Sequence, residues 1–180
     1  MQRIKLLDKE FEILLSSEKI QNRIQELAVE ISDDMEDMDP LFIGILNGSF
    51  MFAADLLKSL KFDARITFLK LASYHGGSST GKVKQLIGLN QDIRDLNIVI
   101  LEDIVDTGKT LDTIVRQLNA YQPAKIRIAT LLYKPEACKE EIKLDYIGFT
   151  IPNRYIIGYG LDYEGYGRKY QDIYALAEEG

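Results

Sequence analysis

The sequence predicts an α/β protein built on a mostly parallel twisted sheet flanked by helices. Short apolar runs recur along the chain, segments of helical periodicity stand between them, and polar turns rich in Gly, Asn and Asp separate the two. Strand and helix in alternation imply a parallel sheet covered on both faces. The first helix is set by Ile20, Ile24, Leu27, Ala28 and Ile31, which share one helical face, with Ser16 or Ser17 as cap. It should stop near Asp39-Pro40, because a residue before proline avoids the helical region. Leu41 to Leu46 reads as a buried strand, Asn47-Gly48-Ser49 as a tight turn, and Phe50 to Leu60 as a helix. Ala64 to Ala72 reads as a strand and Val83 to Leu89 as its return. The two would form a long hairpin around the glycine- and serine-rich segment Gly76 to Ser79, expected to be a flexible loop. Asn97 to Leu101, Ile126 to Tyr133 and Asp145 to Ile151 supply further strands, with a helix from about Thr110 to Tyr121.

Composition narrows the function classes. At 180 residues the chain suits a single domain spanning 1–180, and 46% hydrophobic against 28% charged residues is ordinary for a globular protein. The longest apolar runs fall far short of the roughly 20 residues a bilayer requires, so no membrane partner is expected. Met1 to Asp8 lacks the apolar stretch of a secretory signal, and Cys138, the only cysteine, cannot form an internal disulfide. Both point to the cytoplasm. A net charge of −6 disfavours coating nucleic acid, which requires many phosphates to be neutralised by Lys and Arg.

The most informative segment runs from Ile98 through Leu111. An apolar strand leads directly into Glu102 and Asp103, then Asp106, then the small-residue turn Thr107-Gly108-Lys109-Thr110 that opens a helix. Such a turn can aim several backbone N–H groups at one spot where the helix dipole favours an anion, and glycine at 108 allows close backbone approach. Adjacent carboxylates at the end of a buried strand suit a sugar diol, or a Mg²⁺ held between substrate oxygens. The same turn residues also serve ordinary helix capping. A Walker A reading fails, because the glycine required five positions before Gly108 is Asp103, which would repel phosphate.

The pattern of hydrophobics, Glu-Asp, hydrophobics and Asp-Thr-Gly-x-Thr resembles the phosphoribosyl pyrophosphate signature of the phosphoribosyltransferases, and more narrowly of their hypoxanthine-guanine branch. Leu46 to Phe50 is similar to that family's pyrophosphate loop. Ser73-Tyr74 with Ser79-Thr80-Gly81 is similar to its flexible catalytic loop. Lys134-Pro135, Gly148-Phe149 with Ile151-Pro152, and Gly158 to Tyr163 resemble its purine-site segments. The resemblance implies the type I phosphoribosyltransferase fold, with a small C-terminal hood and a long flexible hairpin loop. It further implies Mg²⁺ as cofactor and a homo-dimer or homo-tetramer.

Residue by residue, the resemblance implies that Glu102 and Asp103 bind the ribose hydroxyls and that Asp106 stands beside purine N7 as the catalytic, proton-handling group. Asp106, Thr107, Gly108, Lys109 and Thr110 would hold the 5′-phosphate. Asn47, Gly48, Ser73, Tyr74 and Arg168 would serve the rest of phosphoribosyl pyrophosphate. Lys134 would meet the purine 6-oxo oxygen, Tyr155 would stack on the base, and the backbone of Ile156 would read its edge. Asp162, at the purine site, would share Mg²⁺ with Glu102 and Asp103. Asn47 departs from relatives that often carry a basic residue there, and Gly160 is a common variation without substrate meaning.

The expected activity is therefore hypoxanthine phosphoribosyltransferase in purine salvage, forming IMP, with guanine and GMP as a second pair. Two alternatives share the fold: a regulatory RNA-binding protein, disfavoured by the −6 charge and the lack of Lys/Arg clusters, and a xanthine-preferring transferase. His75 is expected to be a solvated loop residue, Cys138 to pack on a helix, and Asp33-Asp34 with Glu36-Asp37 to form a solvated helix end.

Overall fold

The computed structural model describes the backbone of residues 3–75 and 82–177, and the side chains of all of these except 72–75 and 82–86. Its centre is a six-stranded sheet in the order β5-β4-β3-β6-β7-β8, from β3 (Leu41–Ile45), β4 (Arg65–His75), β5 (Lys82–Ile87), β6 (Asn97–Val105), β7 (Lys125–Tyr133) and β8 (Tyr146–Thr150). Five strands run parallel, and β5 returns antiparallel to β4 as the second arm of the expected hairpin. The hairpin's tip, with the Gly76 to Gly81 part of the expected flexible loop, lies outside the described residues. The backbone of β4 extends through His75, which closes the strand where a loop position was expected.

Alternation along the strands splits their side chains between two cores. Phe42, Val99, Leu101, Ala129 and Leu131 pack under α1 (Ser17–Met35) and α2 (Phe50–Ser59). Ile43, Ile98, Ile100 and Ile128 pack under α3 (Lys109–Asn119) through its Leu111, Ile114 and Leu118. The face predicted for the first helix is the buried one: Ile20, Ile24, Leu27, Ala28 and Ile31 are fully enclosed. Ser16 caps that helix by accepting from the Lys19 amide at 3.4 Å. The helix gives way to a 3-10 turn, Glu36–Met38, before Asp39 reverses the chain in a left-handed conformation ahead of Pro40.

The acidic helix end is not simply solvated. Asp34 accepts from Arg127 at 2.7 Å and from the Tyr146 hydroxyl at 2.8 Å, while Asp33 pairs with Lys61 at 2.9 Å, so cations from other elements offset the unfavourable dipole at that end.

A second sheet is the hood, and it draws on both ends of the chain. β1 (Arg3–Leu6) and β2 (Lys9–Leu15) form a hairpin, β10 (Ile173–Leu176) pairs with β2, and β9 (Ile156–Ile157) pairs with β10. Phe11, Ile157 and Tyr174 form its own small core. Among the described residues no helix is long and apolar enough to cross a membrane.

Candidate active site

The site gathers where β6 and β7 end. The two strands pair in continuous register from Asn97↔Lys125 to Val105↔Tyr133, so the residues that follow, Asp106 and Lys134, emerge side by side. The Lys134 amide donates to the Val105 carbonyl at 3.0 Å, and its Nζ donates to Asp106 Oδ2 at 2.8 Å. The Lys134 side chain is 6% exposed and that of Asp106 45%, so the cation is sunk in the wall while the carboxylate faces the opening.

β6 runs past Leu101, where the apolar run ends, to Val105. Glu102 and Asp103 therefore lie within the strand and not beyond it, and both are buried. Glu102 Oε2 has no hydrogen-bond partner among the described residues. Burial pushes the Glu102 carboxyl well above its usual range, and the charge of Asp103 and a hydrogen bond between the two acids add to that. Burial raises Asp103 as well, against hydrogen bonds from Glu102 and from the Ile104 amide and the positive charge of Arg168. A buried acid pair with an orphaned oxygen is a place made for donors or a cation from outside the chain.

Beyond Asp106 the chain turns through Gly108, whose φ of 82° suits glycine, into α3. The amides of Gly108, Lys109, Thr110 and Leu111 have no backbone acceptor among the described residues, and no side chain caps the helix. Thr107, Lys109 and Thr110 are exposed at the mouth. A cleft of about 240 Å³ opens over this turn, lined by 102–108, Thr110 and Leu111. From behind, the Thr107 carbonyl accepts from the Lys139 amide at 3.2 Å, and Gly108 packs against Cys138. Cys138 itself lies on an irregular turn and not on a helix: only the Ala137 and Cys138 amides fold back on the Lys134 carbonyl, and Glu140 accepts its thiol at 3.6 Å.

The loop between β3 and α2 approaches the acids from the other side. Asn47 is exposed, and the Leu46–Asn47 peptide is cis. Gly48 lies so close that a Cβ there would fall 1.5 Å from Asp103 Oδ2. The hood meets this loop at Gly160, where an added Cβ would fall 2.1 Å from the Gly48 carbonyl oxygen. Arg168 donates to the Gly160 carbonyl at 2.6 Å and pairs with Asp162 at 2.5 Å, whose other oxygen accepts from the Gly165 amide at 2.8 Å. Tyr155, 48% exposed, donates its hydroxyl to the Asp162 carbonyl, and Ile156 is buried in the β9–β10 pair.

Glu102, Asp103, Asp106, Thr107, Gly108 and Thr110 thus line one cleft, with Lys134 on Asp106 and Gly48 against Asp103, while the three acids expected to share a metal are grouped differently. Among the described residues no three acids or other ligating side chains come together as a metal site, so Glu102, Asp103 and Asp162 do not form a protein-only cage. Asp162 is turned onto Arg168 and Gly165, while Asp103 Oδ1 accepts from the Ile104 amide at 2.9 Å. Ser73 and Tyr74 lie on the distal part of β4, paired with Lys84 and Val83. Their side chains, and Ser79-Thr80-Gly81, lie outside the described set. The sequence reading missed the Asp106–Lys134 pair and the contact of Gly160 with Gly48; the alternation of charged and apolar residues in Lys9-Glu10-Phe11-Glu12-Ile13 was a legible sign of the hood's N-terminal strand.

The sequence profile of the phosphoribosyl transferase domain matches residues 11–164. The chain is 43% identical over 162 residues to a hypoxanthine-guanine phosphoribosyltransferase of Lactococcus lactis subsp. lactis (strain IL1403), spanning 89% of this chain and 88% of that protein. It is 40% identical to the enzyme of the same name from Bacillus subtilis (strain 168) over 84% of each. The crystal structure of the hypoxanthine phosphoribosyltransferase of Trypanosoma cruzi superposes with a TM-score of 0.82 at 34% identity, over 93% of this chain and 97% of that one. With an acid pair and an uncapped helix start at the carboxyl ends of interior strands, and with relatives of this kind along nearly the whole length, the chain belongs to the phosphoribosyl transferase domain family.

Proposed function

We propose that the chain is a hypoxanthine-guanine phosphoribosyltransferase of purine salvage, which joins hypoxanthine or guanine to C1 of phosphoribosyl pyrophosphate and releases pyrophosphate to give IMP or GMP. The observation that carries this reading is the Asp106–Lys134 pair standing directly over a helix start whose first amides are free. An anion seated on those amides, with Thr107, Lys109 and Thr110 around it, leaves a sugar running toward Glu102 and Asp103 and a base lying along Lys134.

Lys134 carries three donor hydrogens, enough to hold Asp106 and reach a 6-oxo oxygen together; an adenine amino group would offer it no acceptor. Asp106 holds the proton at N7 while N9 attacks. Tyr155 presents an exposed ring for stacking, and the strand carrying Ile156 supplies the base-edge contact. Asn47, Gly48 and Arg168 meet the pyrophosphate, and Ser73 and Tyr74 on the hairpin shield the activated sugar from water.

The acid pair fits Mg²⁺, because both groups are hard oxygen donors, one with an unmatched buried oxygen, and a magnesium ion takes only one or two carboxylates alongside substrate oxygens and water. Asp162 would approach it from the hood. Bound there, the ion supplies neutralisation of the leaving pyrophosphate's charge. The setting is a homo-dimer or homo-tetramer in the cytoplasm.

A base panel tests the reading. The protein is incubated with phosphoribosyl pyrophosphate, Mg²⁺ and hypoxanthine, guanine, xanthine or adenine in turn, and nucleotide formation is followed. Turnover of hypoxanthine and guanine with none of adenine is expected; turnover of adenine, of xanthine alone, or of no base overturns it.

A further inference from the structure

Gly158, Tyr159 and Gly160 have φ of 96°, 49° and 98°, the only three consecutive positive values among the described residues. Two glycines adopt this region freely, but a bulky tyrosine does so only when its surroundings hold it there. Tyr159 is 2% exposed and donates its hydroxyl to Asp55 Oδ2 at 2.6 Å. Gln21 donates to the same oxygen at 2.7 Å, and Lys58 stands 2.6 Å from the other. Gln21 belongs to α1 and Asp55 to α2, so this side chain ties a hood turn to the helical layer over the main sheet. Burial pushes Asp55 up, but the hydrogen bonds from Lys58, Tyr159 and Gln21 more than reverse it, so the acceptor stays ionised.

The tie bears on one half of the site. α2 begins directly after Gly48-Ser49, and Gly160, next to Tyr159, rests on the Gly48 carbonyl while its own carbonyl receives Arg168. The backbones of Tyr155 and Ile156 are held apart from Tyr159, by the β9–β10 ladder and the bond from the Leu176 amide to the Tyr155 carbonyl, and the Tyr155 hydroxyl links this side to the other at the Asp162 carbonyl.

We infer that Tyr159 and Asp55 form a latch that fixes the pyrophosphate side of the site, holding Gly160 and Arg168 against the Gly48 loop, while the base side is set without it. Both are positioning residues. The inference rests on the transferase reading above and adds to it a division of the hood into two separately anchored parts.

The experiment is calorimetric titration, with Mg²⁺ present, of phosphoribosyl pyrophosphate and of IMP into wild type, Tyr159→Phe, Asp55→Asn and the double variant. IMP carries sugar, phosphate and base but no pyrophosphate. Each single variant is expected to bind phosphoribosyl pyrophosphate about tenfold more weakly, the scale of one hydrogen bond to a charged group, and IMP within about twofold of wild type. The double variant is expected to lose no more than the worse single one, because both act through one bond. Equal losses on both ligands, losses on neither, or losses that add overturn the latch while leaving the transferase reading in place. A wild-type protein that binds neither ligand overturns both. Should Tyr159→Phe fail to fold, Asp55→Asn, which preserves shape and one acceptor, decides on the same two ligands.

Discussion

Glu102 and Asp106 belong to one strand-to-turn segment, yet their surroundings treat negative charge in opposite ways. Glu102 is buried beside a second acid, with one oxygen unpartnered and no cation against it among the described residues, and its proton is held well beyond the ordinary range. Asp106 is almost half exposed and has a buried lysine at 2.8 Å. The first environment calls for a positive group from outside; the second carries its own. The difference teaches that a run of acids in sequence is not one electrostatic unit, since burial and a single partner decide what each can do.

Replacing Asp106 should have the largest effect. Asp106→Asn is expected to lower kcat by about 10²- to 10⁴-fold, the span typical of proton-handling groups, in steady-state assays with hypoxanthine. A kcat within a few-fold of wild type would remove Asp106 from that role. The same variant leaves Lys134 buried without its counter-charge, so its melting temperature should fall.

The converse change sharpens the contrast. Lys134→Met removes the buried cation and leaves an acid already open to water, so stability should change little while KM for hypoxanthine rises by about 10- to 100-fold. Comparing the two melting temperatures isolates burial as the cause: equal losses would mean that exposure does not govern the cost of breaking this pair.

The smallest effect concerns the acid pair through pH. The folded-state pKa of Glu102 lies above its ordinary value of 4.5, so between those two values the folded chain holds a proton that the unfolded chain has released. Stability of the ligand-free protein should therefore fall as pH rises through that window, by about 1.4 kcal/mol for each unit of separation. Denaturant titrations from pH 5 to 8 should show this slope, and Glu102→Gln should flatten it. A wild-type slope of the opposite sign would contradict a protonated Glu102.

How much of this was legible in the sequence follows from contiguity. The strand, acids and glycine turn occupy one uninterrupted stretch, 98–111, where alternation, glycine and helix periodicity all act locally, and they follow the order the reading gave, with the strand ending at Val105 and not at Leu101. The hood does not share that property. β2 finds its partner in β10 at the far end of the chain, and strands this short gain stability only from such a partner. The orphaned Glu102 oxygen and the Gly160–Gly48 contact likewise depend on elements distant in sequence. Cys138 packs against the core that carries Leu111, Ile114 and Leu118 of α3, as its apolar character suggested. A metal role for Asp162 follows from the family resemblance alone, and its pairing with the arginine six residues on is invisible in the local sequence.

The constant register between β6 and β7 acts as a ruler. Each strand contributes nine residues before Asp106 and Lys134 appear, so the spacing between these two side chains is counted out in matched rungs. The loops that lead into the two strands, 88–96 and 120–124, could lengthen without moving that spacing. Deleting one residue within either strand would instead shift the rung by about 3.3 Å and swing its side chain to the opposite face. Tolerance to insertion should thus change abruptly at Asn97 and Lys125.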